Sequence, residues 1–124
     1  VDVANRITAI MVKVVNEGEG KDARVSGYNI AGKTGTAQIY CATCPGLYDP
    51  ELQMATFVGF LPADEPRVSI LIKLDKVSGF ASETAAPAFS KLVKQLVVLM
   101  NIPTDSQRAE LRARGGDTAM IVGR

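Results

Sequence analysis

The sequence predicts an α/β fold of the α+β type, in which antiparallel strands are flanked by helices. Three observations carry this prediction. Apolar residues recur at helical spacing near both ends, over Ile7, Ile10, Met11, Val14 and Val15, and again over Phe89, Leu92, Val93, Leu96, Val97 and Met100. Between them lie three β-rich runs, Ile30 to Tyr40, Met54 to Leu61 and Val68 to Asp75. The second and third runs are separated only by Pro62-Ala63-Asp64-Glu65-Pro66, a turn-like stretch that suits an antiparallel hairpin.

Taken in order, Asp2 is placed to cap the first helix, and Asn16-Glu17-Gly18-Glu19-Gly20 ends it. Gly18 is the residue expected to take a left-handed conformation there. After the strands, Ser82 or Thr84 opens the last core helix, with Pro87 in its first turn, where a missing N–H does little harm. Pro103 stops it. Asp105 to Arg114 can form a polar helix, but Gly115-Gly116 is expected to break it. The division this implies is a domain over 1–103 and a flexible C-terminal tail over 104–124.

Composition narrows the function classes. The 124 residues are 47% hydrophobic and 22% charged, which is enough Val, Ile and Leu for a core and excludes disorder as the default. With 14 basic against 13 acidic residues the charges nearly cancel, so a nucleic-acid surface is not expected. There is no His, which excludes a Ser-His-Asp triad, a Cys-His pair and an imidazole zinc site within this chain. Residues 1–15 lack the pattern of a signal peptide, and no run approaches the ~20 apolar residues of a membrane span. No metal and no organic cofactor is expected.

One stretch reads two ways. Gly27-Tyr28-Asn29-Ile30-Ala31-Gly32-Lys33-Thr34 fits the phosphate-loop pattern at every fixed position, and Ile70 to Asp75 imitates the apolar strand ending in a magnesium-binding Asp. A phosphate loop needs a buried strand before it and a helix starting at the Lys-Thr. Here Lys21 to Ser26 holds one strong core residue, and Gly35-Thr36-Ala37-Gln38-Ile39-Tyr40 is β-branched and glycine-bearing. That context opposes nucleotide binding. The second reading takes Lys33-Thr34-Gly35, followed by Thr36, as a Lys-Thr-Gly strand. Strict alternation puts Lys33 and Gly35 on one face and Thr34 and Thr36 on the other, unless twist or a bulge reorients them. A cation and two hydroxyls can then gather around an incoming carboxylate, with Gly35 leaving room for a substrate backbone.

Ile30-Ala31-Gly32-Lys33-Thr34-Gly35-Thr36-Ala37-Gln38 resembles the corresponding strand of the class B penicillin-binding proteins, the monofunctional peptidoglycan transpeptidases. Phe57-Val58-Gly59-Phe60-Leu61-Pro62-Ala63 is similar to their next strand and turn. Val68 to Asp75, Ala85-Ala86-Pro87-Ala88-Phe89 and Asn101-Ile102-Pro103 follow in the family's order, so the resemblance covers roughly residues 1–104. It implies a serine that attacks the D-Ala-D-Ala stem peptide, an acyl-enzyme resolved by an amine, and β-lactams that stall at the acyl stage. It further implies that Lys33 bears on proton movement and electrostatics near the nucleophile. Thr34 and Thr36 would bind the terminal carboxylate beside Gly35, and the Thr36 N–H would supply an oxyanion-hole donor.

The nucleophile motif itself is missing from this chain. Ser26, Ser69, Ser78, Ser82, Ser90 and Ser106 are followed at the third place by Asn, Ile, Ala, Ala, Val and Ala, so no Ser-x-x-Lys occurs, and Ser-x-Asn is absent too. Both normally lie upstream. The chain therefore reads as the C-terminal half of a transpeptidase domain, with the upstream half as its expected tight partner. Without that half the Val68–Asp75 strand would present an open apolar edge. The resemblance places the protein at the extracytoplasmic face of the bacterial cytoplasmic membrane, held by an anchor outside this chain. The rival reading is a non-catalytic module of the same fold that binds peptidoglycan or a partner.

Cys41-Ala42-Thr43-Cys44 stays open between a local disulfide and two free thiols. A zinc site would need two more ligands, for which only Asp49 and Glu51 are near, and Pro45-Gly46 disfavours the helix of a thioredoxin-like motif. If the family resemblance holds, the loop lies outside the cytoplasm, where a disulfide can persist.

Overall fold

The computed structural model describes residues 1–121, with side chains described through residue 115. The elements are α1 (Asp2–Asn16), β1 (Ala31–Tyr40), β2 (Tyr48–Leu61), β3 (Val68–Val77), α2 (Ala85–Leu99) and α3 (Asp105–Ile121). The strands form one antiparallel sheet in the order β1-β2-β3. Because side chains alternate along a strand, Ala55, Phe57, Gly59 and Leu61 of β2 share one face, and all are buried. Ile70, opposite Gly59 on β3, adds to that face.

α2 covers this face with Phe89, Val93 and Val97, which recur at helical spacing. The Phe57 and Phe89 rings meet at 4.7 Å with their planes tilted by 56°. Gly32 and Gly59, direct partners across β1 and β2, make room for both rings. A Cβ on Gly59 would lie 2.9 Å from Phe89 Cζ, and one on Gly32 would lie 2.6 Å from Phe57 Cζ. The two glycines are therefore required by packing. On the opposite face of the sheet, Val58 and Leu71 are direct partners and stay 41% and 64% exposed.

α1 differs from the sequence expectation. It begins at Asp2 rather than after it, with Val1 in the cap position and no side-chain cap. Val15 is its buried residue, while Ile7 and Ile10 are 52% and 62% exposed. The apolar periodicity is real, but α1 packs on β1 so that only its last turn reaches the core. Gly18 does not turn left-handed. Its N–H bonds back to Lys13 O (3.2 Å) and Val14 O (3.1 Å), and the Gly20 N–H bonds to Val14 O (3.0 Å), so the chain keeps coiling against the helix end.

At the start of α2, Thr84 holds the cap position, but its hydroxyl donates back to Phe80 O at 2.9 Å. Pro87 lies in the first turn, as the sequence predicts. The far end closes before Pro103 is reached: Asn101 adopts φ 49°, its N–H bonds to Val98 O and that of Ile102 to Val97 O. This pair of bonds is a Schellman motif, with Asn in the left-handed position.

α3 runs through Gly115-Gly116, where the sequence predicts a break. Thr104 and Gln107 form a capping box: Thr104 N donates to Gln107 Oε1 (2.9 Å) and Gln107 N to Thr104 Oγ1 (3.4 Å). Each glycine costs a helix about 1 kcal/mol relative to Ala but does not forbid it. The first turns are also tied to the body of the fold. Asp105 accepts from Asn29 N at 2.6 Å, Arg108 pairs with Asp64 and Asp105, and Arg112 pairs with Asp64 (3.1 Å) and Glu65 (2.8 Å). Burial pulls the Asp64 carboxyl upward, but the hydrogen bond from Arg112 and the charges of Arg108 and Arg112 outweigh it and hold the group below the usual carboxylate range. The rest of the expected tail, from residue 122, lies outside the described residues.

Candidate functional site

The residues singled out by sequence lie on β1, which is an edge of the sheet, so one side of its backbone pairs with no other described strand. Lys33 and Thr34 sit inside β1 and not at a helix N-terminus, which removes the phosphate-loop reading. The register is regular from Ala31 to Gln38, with Thr34 opposite Phe57 and Thr36 opposite Ala55. Both threonines therefore project toward the helix-bearing face. They line a cavity of about 230 Å³ together with Glu19, Phe80, Ala81 and Ser82. Glu19 comes from the turn after α1, and the last three come from the segment that leads into α2.

Alternation should have sent Lys33 to the other face, beside Val58. Its ammonium nevertheless meets Thr34. Lys33 Nζ donates to Thr34 Oγ1 at 3.0 Å and to Thr34 O at 3.2 Å. No bulge is needed, because an edge strand leaves a long side chain free to wrap around its open side. Gly35 is used differently from the expectation. A Cβ there would fall 2.5 Å from Thr56 Oγ1, and the Thr56 hydroxyl donates to Gly35 O at 3.2 Å. The space beside Gly35 on that face is thus filled by the neighbouring strand.

Glu19 was missed by sequence reading. Its Oε2 accepts from Thr34 Oγ1 at 3.3 Å and lies 3.8 Å from Lys33 Nζ. An acidic residue between two glycines carries no signal of its own in a sequence; only the fold brings it to the strand. The lysine and glutamate side chains are 54% and 77% exposed, so the pair contributes little to stability and leaves both groups within reach of a ligand. Ser82, on the cavity wall, has Ala85 and not a lysine three residues on. A second groove, about 550 Å³, lies at the other end of α2 against α3 and includes Tyr28, Val98, Ile102 and Leu111.

The cysteine alternatives resolve to a disulfide. Cys41 and Cys44 are bonded, with Cα atoms 5.3 Å apart, and Cys41 N donates to Leu47 O at 2.9 Å. This closes a tight connection after β1, so β2 starts at Tyr48 rather than near Met54. Asp49 then stabilises the start of β2. Its carboxylate accepts from the backbone N–H groups of Leu52 (2.8 Å) and Glu51 (2.9 Å), which hold it below its ordinary pKa. Tyr40, Leu47 and Tyr48 stand exposed around the disulfide.

Comparison with known proteins gives a consistent result. The penicillin binding protein transpeptidase domain family matches residues 1–94. Penicillin-binding protein PbpB of Mycolicibacterium smegmatis is 41% identical over 93 residues, covering 72% of this chain and 14% of the relative. Peptidoglycan D,D-transpeptidase MrdA of Acinetobacter baumannii is 36% identical over 87 residues, covering 64% of this chain and 13% of that protein. The matches thus span only 13–19% of the length of the curated relatives. Among solved structures, penicillin-binding protein 3 of Mycobacterium tuberculosis in complex with ampicillin superposes with a TM-score of 0.68 at 33% identity, over 81% of this chain and 24% of that one.

Proposed function

This chain belongs to the penicillin-binding protein transpeptidase domain family, and on that premise we propose that it is one wall of a serine D,D-transpeptidase cleft. The wall holds the carboxylate of a D-Ala-D-Ala stem peptide or of a β-lactam. The observation that carries this reading is the Lys33 ammonium set on the Thr34 hydroxyl, with Thr34 and Thr36 lining one cavity beside an open strand edge. Thr34 and Thr36 donate hydrogen bonds to the carboxylate, and Gly35 keeps the strand close between them. Lys33 adds positive charge and bears on proton movement at the nucleophile. The Thr36 backbone N–H serves as an oxyanion-hole donor, a role whose loss typically costs ~10²–10³ in rate.

The nucleophile comes from the upstream half of the domain. Its serine Oγ adds to the carbonyl of the D-Ala-D-Ala amide, the terminal D-Ala leaves with a proton as the amine, and an acyl ester remains. An amine of a neighbouring stem peptide then attacks the ester and releases the serine. A β-lactam follows the first step, but its ring opens and the leaving amine stays attached. Docking of the upstream half accounts for the exposed Val58–Leu71 pair, the open side of β3 and the uncovered Ile7 and Ile10 of α1. In this reading residues 1–103 form the wall, 104–124 are an appendage outside it, and the assembly works at the extracytoplasmic face of the cytoplasmic membrane, anchored through sequence outside this chain.

Replacing both hydroxyls tests the reading. In the domain assembled with its upstream half, Thr34→Val combined with Thr36→Val is expected to slow acylation by benzylpenicillin about tenfold or more, given ~1.5–3 kcal/mol for a hydrogen bond to a charged group. Its methyl ester should lose much less. Equal rates for wild type and the double variant would show that these threonines do not read the carboxylate.

A further inference from the structure

Glu19 already makes the contacts that the cleft-wall reading assigns to a ligand. Its carboxylate accepts from the Thr34 hydroxyl and sits 3.8 Å from the Lys33 ammonium, beside the cavity that both threonines line. We propose that Glu19 is a specificity-determining residue, an internal carboxylate that competes with the ligand's own for the anion seat on β1. The inference rests on the cleft-wall reading and deepens it: the favoured ligand is one whose carboxylate displaces Glu19.

The position is built into the chain's local structure. Gly18 and Gly20 flank Glu19, and their N–H groups are tied to Lys13 O and Val14 O, so the turn delivering the carboxylate is fixed to the end of α1. A Cβ on Gly18 would lie 3.0 Å from Val14 O, and one on Gly20 would lie 3.1 Å from it, so larger residues would push the turn off the end of α1 and shift Glu19 with it. At 77% exposure the Glu19 side chain contributes little to the core, and water can receive it when it leaves. The Thr34 hydroxyl has one proton to donate, so Glu19 and a ligand carboxylate compete for it, and like charges about 4 Å apart beside one ammonium repel. Part of the attraction between Lys33 and an incoming anion is therefore spent on expelling Glu19.

The test compares two probes on the assembled domain, benzylpenicillin with its free carboxylate and benzylpenicillin methyl ester without it. Glu19→Gln removes the charge and keeps the size. The variant is expected to be acylated by the free acid about three- to tenfold faster than wild type, with little change for the ester. The gain should shrink near 1 M salt, where the screening length falls from about 10 Å to about 3 Å. A parallel change with both probes, or an unchanged acid-to-ester ratio on an active wild type, would overturn this inference alone. Failure of a folded wild-type assembly to react with either probe would overturn the cleft-wall reading and the inference with it.

Discussion

Lys33→Ala is expected to abolish penicillin acylation of the assembled domain, by a factor of at least about a hundred, while leaving the fold intact. The rate side of the expectation follows from where the ammonium sits. It lies at the open edge of β1, 3.0 Å from Thr34 Oγ1, and on the cleft-wall reading its removal takes away both the charge offered to the ligand carboxylate and a proton-handling group near the upstream serine. Proton transfer by a positioned side chain contributes roughly 10²–10⁴-fold, and a charge aimed at the reacting centre adds to that. The folding side follows from exposure: Lys33 is about half exposed, and its partners Thr34 and Glu19 remain solvated without it. Stopped-flow acylation, with circular dichroism as the folding control, checks both parts. Normal acylation of a folded variant would remove Lys33 from the mechanism.

The largest stability effect is expected at Phe89. Its ring is fully buried, packs on Phe57, and fills the space left by the missing Cβ of Gly59. Phe89→Ala would leave a cavity between α2 and the face of the sheet that carries Thr34. Such truncations cost about 3–5 kcal/mol, against a total of roughly 5–15 kcal/mol for a typical domain. Urea unfolding of the assembled domain should show the midpoint falling with an unchanged slope. Acylation should fall only in proportion to the folded fraction, since Phe89 packs in the core and does not line the cavity of the candidate site. A loss below about 1 kcal/mol would mean that α2 does not hold the sheet in the way described.

The strands and α2 were legible in the sequence because their signals are local. β-branched runs bounded by Pro-rich turns, and the Phe89-Val93-Val97 spacing, state their own structure. The strand that holds Lys33, Thr34 and Gly35 was legible for the same reason, and the chemistry proposed for it is carried by consecutive residues. What was not legible depends on context. The periodicity of Ile7 and Ile10 marks a helix but does not say whether anything covers it, and here both stay exposed. Gly115-Gly116 looks like a break until the capping box at Thr104 and the pairing of Arg108 and Arg112 with the β2–β3 loop are in place. Lys33 reaches Thr34 because β1 is an edge, which no alternation rule contains. Glu19 joins the site through the coiling of residues 16–20 against α1, a turn that the sequence reading assigned to a left-handed Gly18.

The most direct measurement is fluorescent-penicillin labelling of the upstream half, alone and mixed with this chain, read on a denaturing gel with intact masses. If this chain is the carboxylate-holding wall of a transpeptidase cleft, the upstream polypeptide labels at its serine only when this chain is bound, and this chain stays unlabelled. Equal labelling of the upstream polypeptide with and without this chain, or none in a folded complex, would contradict that account.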